Sequence, residues 1–342
     1  MKRGSIFETD GIPHMSEALP LAMQHVVAMI VGCVTPAIIV SGAVPGGLSR
    51  EDQVILIQSA LVIAALSTLL QLFPIGGKAK FAIGSGLPII MGVSFAYVPS
   101  MQAIAESYGI AAIMGAEIVG GIVAVVMGML VKKIRVFFPP LITGTVVFTI
   151  GLSLYPTAIN YMAGGTSNPD YGSWQNWTIA FFTLIVVTAL NHFGKGIWKL
   201  ASILIGIIVG YVLVSIMAAV LPTTFTYVDD AGATVEATKS WVLNWDKVAS
   251  ASWFAVPKLM PVKWVFDAKA IVPICIMFIV TAVETVGDIS GITEGGLGRE
   301  ATDKELSGGV MCDGLGSSLA AIFGVLPNTS FSQNVGLVAM NK

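Results

Sequence analysis

Two apolar stretches of this chain are interrupted by glycine and proline where a membrane span is normally continuous. Residues 81–99 carry Gly84, Gly86, Pro88 and Gly92, and residues 329–342 are led in by Gly324, Pro327 and Asn328. Hydrocarbon offers no water to pair with bare amides and carbonyls. Non-helical backbone at that depth therefore survives only where protein or a cavity covers it. Each stretch predicts extended backbone followed by a half-helix.

The rest of the chain sets the context. It has 342 residues, 55% hydrophobic and 11% charged, whereas soluble domains carry about 25% charge. A spanning helix needs about 20 apolar residues. That length places segments near 20–43, 54–73, 81–99, 109–131, 139–159, 177–191, 200–221, 270–291, 306–325 and 329–342. The expected class is an all-α polytopic membrane protein; segment 177–191 is short, as for a tilted or partial span. The N-terminus lacks the apolar stretch and cleavage site of a signal peptide. A net charge of −2 with no basic block gives no sign of a nucleic-acid partner. Cys33, Cys275 and Cys312 lie in or beside apolar segments and read as core residues, not a disulfide framework.

Lys and Arg settle the expected orientation. With a cytoplasmic N-terminus, Lys2, Arg3, Lys78, Lys80, Lys132, Lys133, Arg135, Lys195, Lys199, Arg299 and Lys304 are inside, and the short external loops hold only Arg50. The long 222–269 loop, with Tyr227, Trp241, Trp245, Trp253 and Trp264, reads as an external hairpin or interfacial cover. The sequence also echoes itself. Leu87-Pro88 precedes Ser94-Phe95-Ala96, and Leu326-Pro327 precedes Ser330-Phe331-Ser332. Interrupted segments at corresponding places in two halves point to a transporter binding site.

Several polar side chains fall inside apolar segments, where an ionisable group is a functional candidate by default. Glu284 and Asp288 are one turn apart and share a helix face. Glu284 lies ~20 Å into its segment; Asp288 is either functional or the polar end of the helix. Asp313 either bonds neighbouring backbone, holds the tenth segment, or shares a proton with the eighth. Gln24-His25 sit early in the first segment, His25 as a proton-responsive group or a structural hydrogen-bonder. Glu117 is a lone acid with a structural or cavity-lining role. Phe95, beside unwound backbone, suits stacking on a flat ligand or ordinary packing. Gln333 offers one acceptor and two donors in a plane, which matches the edge of an amide-containing heterocycle, and Glu284 complements it as an acceptor. No HExxH or GxSxG pattern supports an enzyme, and no metal-ligand cluster is evident.

Gln333-Asn334-Val335-Gly336 with Asn341-Lys342 resembles the signature of the nucleobase–ascorbate transporters. Asn341 stands where that family usually has Thr. Gln24-His25, Ser94-Phe95, Glu284-Thr285-Val286-Gly287-Asp288 and Asp313 match further family landmarks in order, and the Glu-Thr-x-Gly-Asp pattern is more like the xanthine/uric acid branch. The resemblance implies fourteen spans in two inverted seven-span repeats, with short β-strands in spans three and ten; about ten spans are present. It implies core spans at 1–131, gate spans at 132–221, an external loop at 222–269 and incomplete second-repeat core spans at 270–342.

It further implies Glu284, Gln333, Phe95, Ala96 and Ser332 as substrate-binding residues, with His25, Asp288, Asp313 and Asn334 in coupling and support. The expected function is proton-coupled uptake of xanthine or uric acid by alternating access. The protein would be a multi-pass component of the cytoplasmic membrane, dimeric through the gate, with no cofactor beyond the coupling proton. The alternatives are a uracil permease of the same family or an anion exchanger of the same fold. The exchanger should show a basic residue near the half-helices, and residues 329–340 hold none. The 342-residue chain, lacking four family spans, is expected not to transport by itself.

Overall fold

A computed structural model describes residues 14–76, 82–134, 140–166, 168–195, 197–228, 232–250, 252 and 263–340. Lys2, Arg3, Lys78, Lys80, Arg135, Trp253, Asn341 and Lys342 lie outside the described residues. In chain order the elements are α1 (Met15–Ala43), α2 (Arg50–Leu72), β1 (Met91–Val93), α3 (Val98–Tyr108), α4 (Ile110–Ile134), α5 (Pro140–Ser153), α6 (Tyr155–Met162), α7 (Trp174–Phe193), α8 (Ile197–Leu200), α9 (Ser202–Val220), β2 (Thr224–Val228), β3 (Thr234–Thr238), α10 (Trp245–Ala249), α11 (Ala268–Ile292), α12 (Asp303–Ile322), β4 (Asn328–Ser330) and α13 (Ser332–Met340).

Among the described residues, six helices are long and apolar enough to cross a membrane: α1, α2, α4, α7, α9 and α11. Large apolar side chains such as Leu66, Ile122, Ile185, Ile208 and Ile276 stand exposed on them. Lipid accepts such a surface and water does not, as befits a multi-pass membrane protein.

The other apolar segments differ from single apolar spans for identifiable reasons. Segment 139–159 is divided at Leu154 into α5 and α6, with Pro156 in the first turn of α6, where its missing N–H costs nothing. The ninth segment forms a 20-residue helix, α12. Gly308, Gly309, Gly314, Gly316, Ser317 and Ser318 make it less apolar. The sixth is longer than its apolar run. The Ser173 side chain accepts from the Asn176 amide and starts α7 at Trp174. The long loop contains an antiparallel hairpin, β2 on β3, in register from Thr224↔Thr238 to Val228↔Thr234.

The chain forms two compact units: Met1–Leu152 with Val256–Lys342, and Ser153–Ala255. Within the second, α7 and α9 pack closely because Gly206 faces Val187, and Gly210 faces Thr183. Ser240 donates to the Asp170 carboxylate through both its amide and its hydroxyl, each at 2.9 Å. Asn176 donates to the Ala163 carbonyl and to Ser240.

Within the first unit, α4 and α12 meet along a seam of small residues. A Cβ on Gly314 would lie 2.4 Å from the Gly121 carbonyl oxygen, and one on Gly121 would lie 2.2 Å from Ser318 Oγ. Lipid tails are as apolar as the protein interior, so helices associate through such close packing rather than by escaping water. The α12 N-terminus is fixed by a reciprocal cap. Thr302 accepts from the Glu305 amide, and the Glu305 carboxylate accepts from the Thr302 amide and from Arg299.

Gly314→Leu should lower the detergent melting temperature by the equivalent of about 3 kcal/mol or more, because backbone on the facing helix cannot yield. Gly144→Leu in α5, where a Cβ meets nothing within 4 Å, should melt within about 1 kcal/mol of wild type. Equal melting of the two variants would disprove the seam.

Candidate functional site

The interrupted segments meet as a two-stranded ribbon. β1 pairs antiparallel with β4 in the register Met91↔Ser330, Gly92↔Thr329, Val93↔Asn328. The ladder is extended at both ends, by the Ser94 amide to the Pro327 carbonyl at 3.1 Å and the Phe331 amide to the Ile90 carbonyl at 2.9 Å. Helix side chains take up the outer edges. Thr68 of α2 accepts from the Met91 amide at 2.9 Å. Ser317 of α12 accepts from the Asn328 amide and donates to the Asn328 carbonyl, each at 3.0 Å. Glycine is required at the crossing. A Cβ on Gly92 would lie 2.6 Å from both Cys33 Sγ and the Phe331 ring.

Both strands run into helical turns. β1 leads into a 3-10 turn, Phe95–Tyr97, whose Ala96 amide donates to Ser94 Oγ at 3.2 Å. β4 leads through buried Phe331 into α13. Phe95 is half-buried and Ala96 buried, while Ser332 and Gln333 in the first turn of α13 are exposed.

One face of α11 presents its polar residues to this junction. Thr285 Oγ1 donates to Asp313 Oδ2 and lies 3.2 Å from both the Thr329 and the Ser330 hydroxyls. Ser330 donates to Asp288 Oδ2 at 2.6 Å. Ser332 of α13 lies beside both Glu284 and Asp288. Asp313, 3% exposed, also accepts from Thr329 at 3.3 Å and from Gln71 Nε2 at 3.5 Å. Glu284 Oε2 is buried and accepts no hydrogen bond from a described residue. Asp288 and Asp313 are thus joined through the Ser330, Thr285 and Thr329 hydroxyls, with Glu284 one turn from Asp288 on α11.

α1 closes the other side. Asn334 Nδ2 lies 3.0 Å from His25 Nδ1 and donates to the His25 carbonyl at 3.2 Å. The Gln333 amide nitrogen and the Phe331 ring lie against Gly32, within 3.2 Å of where a Cβ would stand. The Gly32 carbonyl faces no N–H from Pro36 one turn on, because proline has none.

The structure thus gathers Glu284, Asp288, Ser332 and Asp313 around the ribbon, places Phe95 and Ala96 at its exit, and ties Asn334 to His25. Among the described residues no hydrogen bond joins Gln333 to Glu284; Gln333 is on the α1 side of α13 and Glu284 is on α11. Sequence reasoning missed Gln71, Thr68, Tyr97, Thr281 and Ser317. Gln71 carries the most weight. Its Oε1 accepts from the Ser85 amide at 3.0 Å while its Nε2 donates to the Gly309 carbonyl at 3.1 Å. A lone amide in Leu70-Gln71-Leu72 was the available signal. Tyr97 is fully buried, with its hydroxyl 2.7 Å from Thr281 Oγ1. Among the described residues no group of three His, Cys, Asp or Glu could hold a metal ion.

Asp313→Ala should leave the Thr285 and Thr329 hydroxyls without their shared buried acceptor and lower stability by about 1–3 kcal/mol. A detergent melting temperature within error of wild type would disprove this network. Asp313→Asn, which keeps one acceptor oxygen, should recover part of the loss.

A model described as a permease family matches residues 16–342. The chain is 35% identical over 327 residues to a xanthine permease of Bacillus subtilis, covering 95% of this chain and 67% of that protein. It is 32% identical to the uric acid transporter UacT of Escherichia coli, covering 98% and 64%. A putative purine permease of Clostridium perfringens is 31% identical, covering 98% and 68%. The chain therefore spans about two thirds of the length of these relatives. With a family match running from the first span to the last residue, and with permeases at this level of identity, the chain belongs to the nucleobase–ascorbate transporter family, in its xanthine and uric acid permease branch.

Proposed function

We propose that this chain carries the substrate site of a proton-coupled purine carrier, with xanthine or uric acid as substrate. The observation that carries the reading is the unmet hydrogen-bonding capacity around the ribbon. Glu284 Oε2 has no described donor, Gln333 is exposed and Phe95 half-buried. An oxidised purine presents ring N–H donors, carbonyl acceptors and a flat face. Glu284 would accept from the N–H edge, the Gln333 amide would match an N–H/C=O pair, and Phe95 would take the face. Ala96 and Ser332 would line the site. The names of the relatives support the substrate class: xanthine, uric acid and purine permeases.

The coupling reading rests on the acids. Asp288, Asp313, Asn334 and His25 would hold the site's shape, and the carboxyl cluster would take up a proton with the base. Residues 1–131 and 270–342 would form a core domain moving against a gate at 132–221, with 222–269 as an external cover. The carrier would lie in the cytoplasmic membrane with its N-terminus inside and pair into a homodimer through the gate. No cofactor enters this scheme beyond the proton.

Two measurements test it. Purified chain in lipid nanodiscs should bind radiolabelled xanthine or urate, and Glu284→Gln and Gln333→Ala should each weaken binding by about tenfold or more, as expected for a hydrogen bond to a buried partner. Wild-type affinity in both variants would refute the site. In cells producing a full-length carrier that contains this chain, collapsing the pH gradient should cut accumulation of the base; accumulation that does not change would remove the proton from the mechanism.

A further inference from the structure

The turn that carries Phe95 and Ala96 has an anchor that the proposed site does not use. In the 3-10 turn Phe95–Tyr97 successive side chains point about 120° apart. Phe95 is the half-buried member, and Tyr97, two residues on, is fully buried. The turn thus offers one ring to the site and sinks the other into the protein. The Tyr97 ring meets Phe278 edge-on at 5.0 Å, and its hydroxyl lies 2.7 Å from Thr281 Oγ1. Both partners belong to α11 and both are buried.

The direction of that bond follows from its surroundings. A threonine hydroxyl has one proton to give, and Thr281 donates it to the Phe278 carbonyl at 3.3 Å. Tyr97 is therefore the donor and Thr281 Oγ1 the acceptor. Phe278 has little room to give way, since a Cβ on Gly120 of α4 would lie 2.2 Å from its ring. Within the turn, the Val98 amide donates to the Phe95 carbonyl and the Ala96 amide to Ser94 Oγ. Neither of these bonds reaches α11; the Tyr97 hydroxyl does.

Thr281 stands three residues before Glu284, ~4.5 Å along the helix axis and on a shared face. One stretch of α11 thus carries both the carboxyl that would take the base's N–H edge and the acceptor that fixes the turn bearing Phe95. We propose that Tyr97 is a positioning residue for substrate selectivity: bonded to Thr281, it holds Phe95 and Ala96 against Glu284 at a spacing that favours a two-ring base over a one-ring base. A flat bicycle must meet the aromatic face and the carboxyl together, and it gains most when both are held in place beforehand. A single ring can shift between them and gains less. The inference deepens the substrate reading and rests on it.

The test uses purified chain in lipid nanodiscs, binding of radiolabelled xanthine, urate and uracil, and amide hydrogen exchange over residues 94–98. Tyr97→Phe keeps the ring and leaves Thr281 bonded to the Phe278 carbonyl, so the fold should survive. It should lower the xanthine-to-uracil affinity ratio by about threefold or more and speed exchange in the turn by a similar factor, the size expected for one buried hydrogen bond. Thr281→Ser, which keeps the acceptor, should retain the ratio that Tyr97→Phe loses. An unchanged ratio in Tyr97→Phe overturns the proposal. An equal loss of affinity for both bases would make Tyr97 a structural prop and overturns it as well. Should Tyr97→Phe fail to fold, Thr281→Val must show the same fall, and a wild-type ratio there overturns it too. Wild-type chain that binds no purine removes the substrate assignment. In that case faster exchange in the turn of Tyr97→Phe leaves the anchor standing, and unchanged exchange overturns it.

Discussion

The structure depends on one constraint: backbone that leaves the helix inside a membrane must still find partners for its N–H and C=O groups. The β1–β4 ribbon is the solution. Three residues from each interrupted segment pair with each other, and the outer edges, which in an isolated two-stranded ribbon would be bare, are taken up by Thr68 and Ser317 from flanking helices. Gln71 does the same for the approach to β1, bonding the Ser85 amide and the Gly309 carbonyl. The Gly84 amide donates to the Gly308 carbonyl at 2.9 Å. Residues far apart in sequence are thus bound by the same hydrogen bonds that make the break tolerable.

The site follows from that arrangement. β4 sends Thr329 and Ser330 toward α11 and α12, and their hydroxyls engage Asp313 and Asp288. Thr285 bonds Asp313 and reaches both of those hydroxyls. A shift of the ribbon would therefore change the surroundings of both Asp288 and Asp313. Fold and chemistry share the same atoms. Such a network gives one defined arrangement when fully bonded and becomes costly when a member is lost.

Much of this was legible from residue types alone. Gly84, Gly86, Pro88 and Gly92 announced the first break because they cluster within one short stretch, whereas the single Pro36 and Pro273 are carried inside α1 and α11. Glu284, Asp288 and Asp313 stood out because acids are rare in apolar segments. Thr68, Ser317 and Thr281 were invisible for the complementary reason. Hydroxyls are common in spans, where they usually bond back to their own helix, as Thr68 also does to the Ala64 carbonyl. Only the three-dimensional fold shows which of them also reach outward. The division of segment 139–159 escaped a search by hydrophobicity because Pro156 lies within an apolar run. The register that faces Met91 with Ser330 was also beyond reach, since three-residue strands carry too little alternation to set one.

The acids of this unit differ in what surrounds them, and that difference argues for different tasks. Asp313 and Asp288 accept hydrogen bonds from hydroxyl groups. A hydroxyl can donate to a carboxylate or accept from a carboxylic acid by turning about its own bond, so these two acids can change charge without moving the backbone. Glu284 has one oxygen near Ser332 and another with no described donor, an arrangement a ligand can complete. Glu117 has no hydroxyl of its own and lies among Met114, Ala116, Gly120 and Gly121 on a helix whose neighbours are packed to contact. Its burial without a hydrogen bond from a described residue sets it apart from the acids that the ribbon's hydroxyls hold.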